Sequence, residues 1–228
     1  MRWEHSPDYS VWTFFLNPEA RWSNGDTVTA QDFVFSFQRM LSPALAAEYG
    51  QMLFILKNAE EFNNGQVTDF AEVGAKALDD HTLQLTLVGP TPFFLSMLMH
   101  YSWFPVHPPT IMQHGGMTDR DGRWTLPGNH VGNGPFMLAE WRPNQFIKVV
   151  PNPYYWDREV VRLNAIYYMV IGDANTERRM FDSGRLHVTN TLPSNDIAWF
   201  RANRPEVLRI APYLGTYFYR FNVTRPPL

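Results

Sequence analysis

The chain has 228 residues, a formal charge of -3, 45% hydrophobic residues and no cysteine. That length and apolar content suffice for one large or two small domains with a buried core. A mildly acidic chain without a basic cluster excludes a phosphate-reading nucleic-acid binder, and the lack of cysteine excludes disulfides and cysteine-ligated metal or redox centres. The apolar runs, such as residues 93–99, fall far short of the roughly 20 residues that cross a bilayer, and no signal-peptide pattern is visible near Met1.

Along the chain, residues 11–16 (Val-Trp-Thr-Phe-Phe-Leu) form a β-branched and aromatic run that predicts a buried strand, closed by Asn17 and Pro18. Ser23-Asn24-Gly25 predicts a turn, because Asn tolerates and Gly favours left-handed backbone angles. Thr29 with Asp32 three residues on predicts a capped helix start. Phe33, Phe37, Met40 and Leu41 then recur on one helical face, and Ser42-Pro43 stops the helix. Residues 60–66 are turn-rich. Leu83, Leu85 and Leu87 alternate with polar residues as a half-buried strand does, and Pro92 opens a short helix through residues 93–99.

The Pro-rich stretch 105–109 marks the expected boundary between a subdomain at 1–107 and a second at 108–228. In the second, residues 114–123 are expected to be mobile surface. Residues 132–135 predict a turn feeding a strand at 136–140, which pairs as a hairpin with 146–150 across Arg142-Pro143-Asn144. A strand is expected at 165–171, a helix at 176–183 stopped by Gly184, a helical segment at 193–203, and strands at 208–211 and 216–222. Strands and helices mixed without a repeat place the chain among α/β or α+β folds.

Constellations that resemble chemistry have structural explanations. His100, His107 and His114 recur every seven residues, but Pro105, Pro108 and Pro109 break any helix that would align them on a metal. Asp79-Asp80-His81 falls in the turn before a strand, where Asp side chains satisfy local amides. Gly132-Asn133-Gly134 lacks the third glycine and the helix of a dinucleotide fingerprint, and Pro135 removes an amide. No nucleophile elbow, P-loop or zinc-protease helix is present, so an enzyme has no visible anchor. Aromatic residues make up 15% of the chain, with 8 Trp and 10 Tyr, which is more amphipathic ring surface than a small core needs. Alternation puts Tyr217 and Tyr219 on one face and Phe218 on the other.

Taken in order, Arg21-Trp22-Ser23-Asn24-Gly25 with its helix, residues 78–87, Thr91-Pro92-Phe93-Phe94, Gly132–Phe136, Asn152–Trp156, Phe181–Val188 and Tyr213–Tyr219 carry a resemblance over nearly the whole chain. The chain resembles the bacterial extracellular solute-binding proteins of the oligopeptide and dipeptide class, family 5, which serve ABC importers. Within that class it looks most similar to the oligopeptide and murein-peptide binders. The resemblance implies an incomplete lobe of a type II periplasmic-binding-protein fold with an additional α/β subdomain, cut on both sides and lacking the second lobe.

It further implies no reaction and no cofactor or metal. The expected partners are an oligopeptide and an inner-membrane ABC permease, with a periplasmic location or attachment to the membrane through a leader or lipid anchor outside this chain. Peptide main chain pairs with strand edges in such a cleft while loose pockets accept varied side chains. By position, Tyr49, His100, Asn190, Thr191, Tyr213 and Phe218 are expected to line the cleft, and Arg220 to meet an acidic group. A nickel chelate, haem, opine or oligosaccharide in the same fold, a sensory domain and an envelope enzyme are the alternatives. A lobe lacking its counterpart is expected to bind peptide weakly or not at all, and its uncovered face to favour self-association.

Overall fold

The structure is a computed structural model that describes residues 2–213 and 215–226. Leu214 of the Tyr213–Tyr219 motif, and Pro227 and Leu228 at the expected lobe crossing, lie outside the described residues. The chain divides into two compact units, residues 1–170 and 171–228, with the division after the second sheet.

The first unit begins with an antiparallel sheet. β1 (Arg2–His5) pairs with β2 (Val11–Phe15), β2 with β4 (Thr82–Thr86), and β4 with β3 (Ala75–Asp79), in spatial order β1-β2-β4-β3. The alternation legible in the sequence sets the faces. Trp12 lies opposite Leu85 and Phe14 opposite Leu83, and Leu83, Leu85 and Leu87 are all buried. Thr13 and Gln84 take the other face and hydrogen-bond to each other. Asp79-Asp80-His81 is the β3–β4 turn, with the Asp79 carboxylate accepting the His81 amide at 2.8 Å.

Helices cover the apolar face. α1 (Ala30–Leu41) buries Phe37 and Leu41; α2 (Ala59–Asn63) buries Ala59; α3 (Phe94–Met97) is one turn, shorter than the seven residues expected, and buries Phe94. The core is built on rings: Trp12 to Phe94 at 5.7 Å, Phe94 to Trp103 at 5.3 Å and Phe37 to Trp103 at 5.5 Å between centroids, the last two edge to face. Such pairs add to the burial of large apolar area.

The turn before α1 is tied to it by a buried carboxylate. Asp32, 9% exposed, accepts the Trp22 indole N–H and the Thr29 amide, each at 2.9 Å. The second contact is the acidic half of the capping box with Thr29. Gly25 has φ of 96°, and a Cβ there would stand 3.4 Å from the Tyr154 ring, so both the backbone angle and the space favour glycine. α4 (Pro108–Gln113) follows, capped by the His107 ring, which accepts the Thr110 amide.

A second antiparallel sheet in this unit has the order β5 (Phe136–Arg142), β6 (Phe146–Pro151), β7 (Ile166–Met169). The predicted hairpin forms, with Asn144 at φ 60° in its turn. Asn152 is fully buried: its side-chain amide donates to the Gly134 carbonyl and its side-chain oxygen accepts the Tyr154 amide, both at 2.9 Å. The 114–123 segment is tethered to α1, because the Arg39 guanidinium donates to the Met117 carbonyl and lies 5.9 Å from the Trp124 ring.

In the second unit, α5 (Ala174–Asp182) starts two residues earlier than predicted because Asp173 caps it, accepting the Thr176 amide at 2.8 Å. Gly184 at φ 74° ends it. α6 (Ile197–Asn203) follows a short turn of 3-10 helix. Asp182 pairs with both Arg178 and Arg204, whose guanidinium groups also lie over the buried Phe200. The strands expected at 208–211 and 216–222 are absent among the described residues. A strand is stable only with a neighbour to complete its ladder, and neither segment pairs with one.

Replacing Asp32 with Ala strands the Trp22 indole and the Thr29 amide and is expected to lower the unfolding free energy of the first unit by about 2–4 kcal/mol. Asn keeps an acceptor for both donors, so Asp32→Asn costs less than half as much. Urea denaturation followed by tryptophan fluorescence separates the two; equal losses contradict the hydrogen-bond account.

Candidate ligand-binding site

Tyr49 stands just before a turn of 3-10 helix, Gly50–Leu53, whose Gly50 and Leu53 are buried. Anchoring those two residues leaves the Tyr49 ring at the surface, partly exposed. His100 caps a second 3-10 turn, Tyr101–Trp103. Its Nδ1 accepts the Ser102 amide at 3.3 Å and lies 2.7 Å from the Ser102 hydroxyl, so the neutral ring carries its proton on Nε2. Burial of Ser102 and Trp103 fixes the turn, leaving Tyr101 exposed and His100 half-buried.

The two turns converge into one aromatic cluster. Tyr49 lies 5.2 Å from His100 and 5.6 Å from Tyr101, edge to face, and His100 stacks on Tyr101 at 4.3 Å. Tyr49 and His100 are thus brought together. Tyr101 was missed by sequence reasoning, although its adjacency to His100 on a capped turn was the available signal. Desolvation pushes the Tyr101 phenol above the usual tyrosine range, and the neighbouring Tyr49 and Glu48 act in the same direction. Faces, edges and phenol oxygens together offer stacking and hydrogen bonding to a ligand without strong charge.

In the second unit, Asn190 and Thr191 line a cavity of about 360 Å³ whose other walls include Arg178, His187, Val207 and Arg209. The loop is held by Glu177 of α5, which accepts the Asn190 amide at 2.6 Å and the Thr191 hydroxyl at 3.4 Å. Glu177 lies 13 residues upstream of Asn190, a spacing that carries no local signature, so only the fold reveals it. Tyr213 is 92% and Phe218 60% exposed, and neither joins the cavity. The Arg220 guanidinium lies 5.3 Å over the Phe218 ring. The alternation of this segment survives without a sheet, since Tyr217 and Tyr219 sit 5.4 Å apart.

The three heptad-spaced histidines are separated by their partners. His107 is buried, with Nε2 3.0 Å from the Asp26 carboxylate, Nδ1 2.7 Å from the Thr110 hydroxyl, and its ring against Trp22. The Asp26–His107–Thr110 chain has the connectivity of a catalytic triad, but Thr110 is buried, so its hydroxyl braces the cap of α4 and does not face a substrate. His114 donates its amide to the Thr110 carbonyl at the end of that helix.

A raised phenol pKa means that the folded chain holds the Tyr101 proton at a pH where the unfolded chain has lost it. Stability therefore falls as pH rises through the ordinary tyrosine range. Glu48→Gln is expected to move the Tyr101 titration back toward that range, as read by NMR of ring-labelled tyrosine; an unchanged titration removes Glu48 from the cluster's electrostatics.

The profile of the bacterial extracellular solute-binding proteins, family 5 (Middle), matches residues 1–228. The periplasmic oligopeptide-binding protein OppA of Escherichia coli K12 is 36% identical over 99% of this chain and 40% of its own length. The periplasmic murein peptide-binding protein MppA of the same organism is 32% identical over 97% of this chain and 40% of its own. The crystal structure of Haemophilus influenzae OppA in complex with RPPGFSPFR superposes with a TM-score of 0.82 and 33% identity over 88% of this chain and 38% of that one. The fold is accordingly that of the type II periplasmic binding proteins, of which this chain matches a part. Matched from end to end by the family's profile, and spanning about 40% of the length of these curated relatives, the chain belongs to the bacterial extracellular solute-binding proteins, family 5.

Proposed function

We propose that this chain supplies part of the peptide-binding cleft of an ABC import system. It takes up oligopeptides on the outer side of the inner membrane, in the periplasm or tethered by a lipid, and presents them to the permease without chemical change. The observation that carries the reading is the outward cluster of Tyr49, His100 and Tyr101, built on two capped turns of the first unit, in a chain whose relatives are named for peptide binding. The cavity lined by Asn190 and Thr191 offers polar groups of its own on the second unit.

Physically, the cluster suits a ligand that varies. A peptide's amides and carbonyls recur whatever its sequence, so backbone hydrogen bonds give affinity while ring faces accept differing side chains. Tyr213, Phe218 and Arg220 enter this reading as exposed groups available to a ligand or to the remainder of a longer chain. A relative named as a probable deoxycholate-binding protein, 33% identical over 99% of this chain, makes an amphipathic steroid the sharpest competitor.

The reading is tested by titrating the isotopically labelled chain with a mixture of tripeptides and, separately, with deoxycholate, a nickel chelate and an oligosaccharide. Weak, saturable shifts with peptides at Tyr49, His100 and Asn190 are expected, with affinities near millimolar, because this chain spans about 40% of the length of its curated relatives. Tyr49→Ala is expected to reduce the affinity about three- to tenfold, in line with the loss of one aromatic contact. Shifts with a competitor alone, or peptide shifts that avoid all three residues, overturn it.

A further inference from the structure

The turn that carries Tyr49 also carries a carboxylate. The Gly50 amide donates to the Ala47 carbonyl at 3.2 Å and sets Glu48 and Tyr49 at the centre of a tight turn. Gly50 is buried, and a Cβ there would stand 3.3 Å from the Met40 carbonyl oxygen. The turn is therefore seated on the end of α1, with Glu48 and Tyr49 on its exposed side.

Glu48 brings the charge that the rings lack. Between Arg39 and Lys57 it is the one Asp, Glu, Lys or Arg, and between Asp80 and Asp119, the stretch that supplies His100 and Tyr101, there is none. Among the described residues its carboxylate enters no ion pair. Its field reaches across the cluster: after desolvation and Tyr49, Glu48 helps to raise the Tyr101 phenol. The tyrosine rings add negative electrostatic faces. His100 stacks on Tyr101, yet Tyr101 remains 58% and Tyr49 37% exposed. Two tyrosine rings beside an unpaired carboxylate, with no Lys or Arg in either segment to compete for it, complement a positive charge.

We infer that Glu48, Tyr49 and Tyr101 form a subsite for a cationic side chain of the ligand, arginine ahead of lysine. A guanidinium lies flat on a ring and turns its N–H groups toward a carboxylate at the same time, whereas an ammonium is a strongly hydrated point charge. Resting on the peptide-binding function proposed above, the subsite adds a preference for basic peptides to an affinity that the main chain gives to any sequence. Exposed cation–π and ion-pair contacts are each modest, so the preference is about three- to tenfold and falls as salt is added.

NMR titration of the tyrosine-labelled 228-residue chain with N-acetyl-arginine methylamide and its norleucine and glutamate counterparts tests it, at low salt and above the ordinary histidine range of pH. The three probes share one blocked backbone, so they report the side chain without the termini of a peptide. The arginine probe is expected to shift Tyr49 and Tyr101 and to bind about three- to tenfold more tightly than the norleucine probe, with the glutamate probe weakest. A bound cation stabilises a phenolate and arginine stays charged throughout, so the same probe moves the Tyr101 titration down. Glu48→Gln and Tyr101→Ala each narrow the ratio of arginine to norleucine binding, and Glu48→Lys reverses the order toward glutamate. No binding of the arginine probe, equal binding of all three, arginine shifts that avoid Tyr49 and Tyr101, or an order unchanged in Glu48→Lys overturns the proposal. Tripeptides with the same three central side chains separate the subsite from the function it rests on. Tripeptides bound without preference refute the subsite and leave peptide binding standing, while a preference for the arginine probe with no tripeptide bound refutes peptide binding and leaves the subsite.

Discussion

A buried carboxylate organises the first unit. Asp32 sits in the first turn of α1 and accepts hydrogen bonds from the indole of Trp22 and the amide of Thr29. An unpaired charge at that depth would cost several kcal/mol, so the segment from Arg21 to Val28 must wrap in a way that brings the indole N–H to it. The same wrapping sets Asp26 against the buried His107 and closes the cap of α4. The Ser36 hydroxyl, one turn beyond Asp32, accepts the Val106 amide at 2.7 Å and ties the proline stretch to the same helix. One carboxylate and its neighbours thereby join the turn, α1, the 105–109 segment and α4.

The aromatic core transmits that order to the surface. Trp12, Phe94, Phe37 and Trp103 form an unbroken run of ring contacts from the sheet to the 3-10 turn at 101–103. On that turn Ser102 and Trp103 are buried, while Tyr101 is exposed and His100 half-buried. Their exposure, and their meeting with Tyr49, follow from packing and need no separate instruction. Where rings are not constrained in this way, as from Tyr213 to Phe221, they remain at the surface, with Tyr217 against Tyr219 and Tyr219 against Phe221.

How much was legible depended on the range of the interaction. β2, α1 with its capping pair, the Leu83–Leu85 alternation and the hairpin of β5 and β6 are each specified by residues close together in the chain, and all are readable from it. α3 was overextended because Leu98 and Met99 continue an apolar pattern that the His100 cap interrupts. α5 was started late because Asp173 was not recognised as a cap. The strands expected at 208–211 and 216–222 have the right alternation but pair with no neighbouring strand among the described residues, and propensity does not replace a ladder. Of the expected cleft residues, Tyr49 and His100 meet in the first unit, while in the second unit Asn190 and Thr191 share a cavity that Tyr213, Phe218 and Arg220 do not line.

The sequence by itself determined the mixed α/β class, the turns at Gly25 and Asn144, the capped start of α1, and the membership in a family of binding proteins, since periodicity, backbone preference and ordered motifs are all local properties of the chain. Only the tertiary structure decided that Asp32 is a buried acceptor for Trp22, that Glu177 holds the Asn190 loop, and that Tyr101 joins Tyr49 and His100. Each of these depends on which distant residue arrives as a neighbour, and burial, desolvation and hydrogen-bond satisfaction acquire their magnitudes only after that arrival.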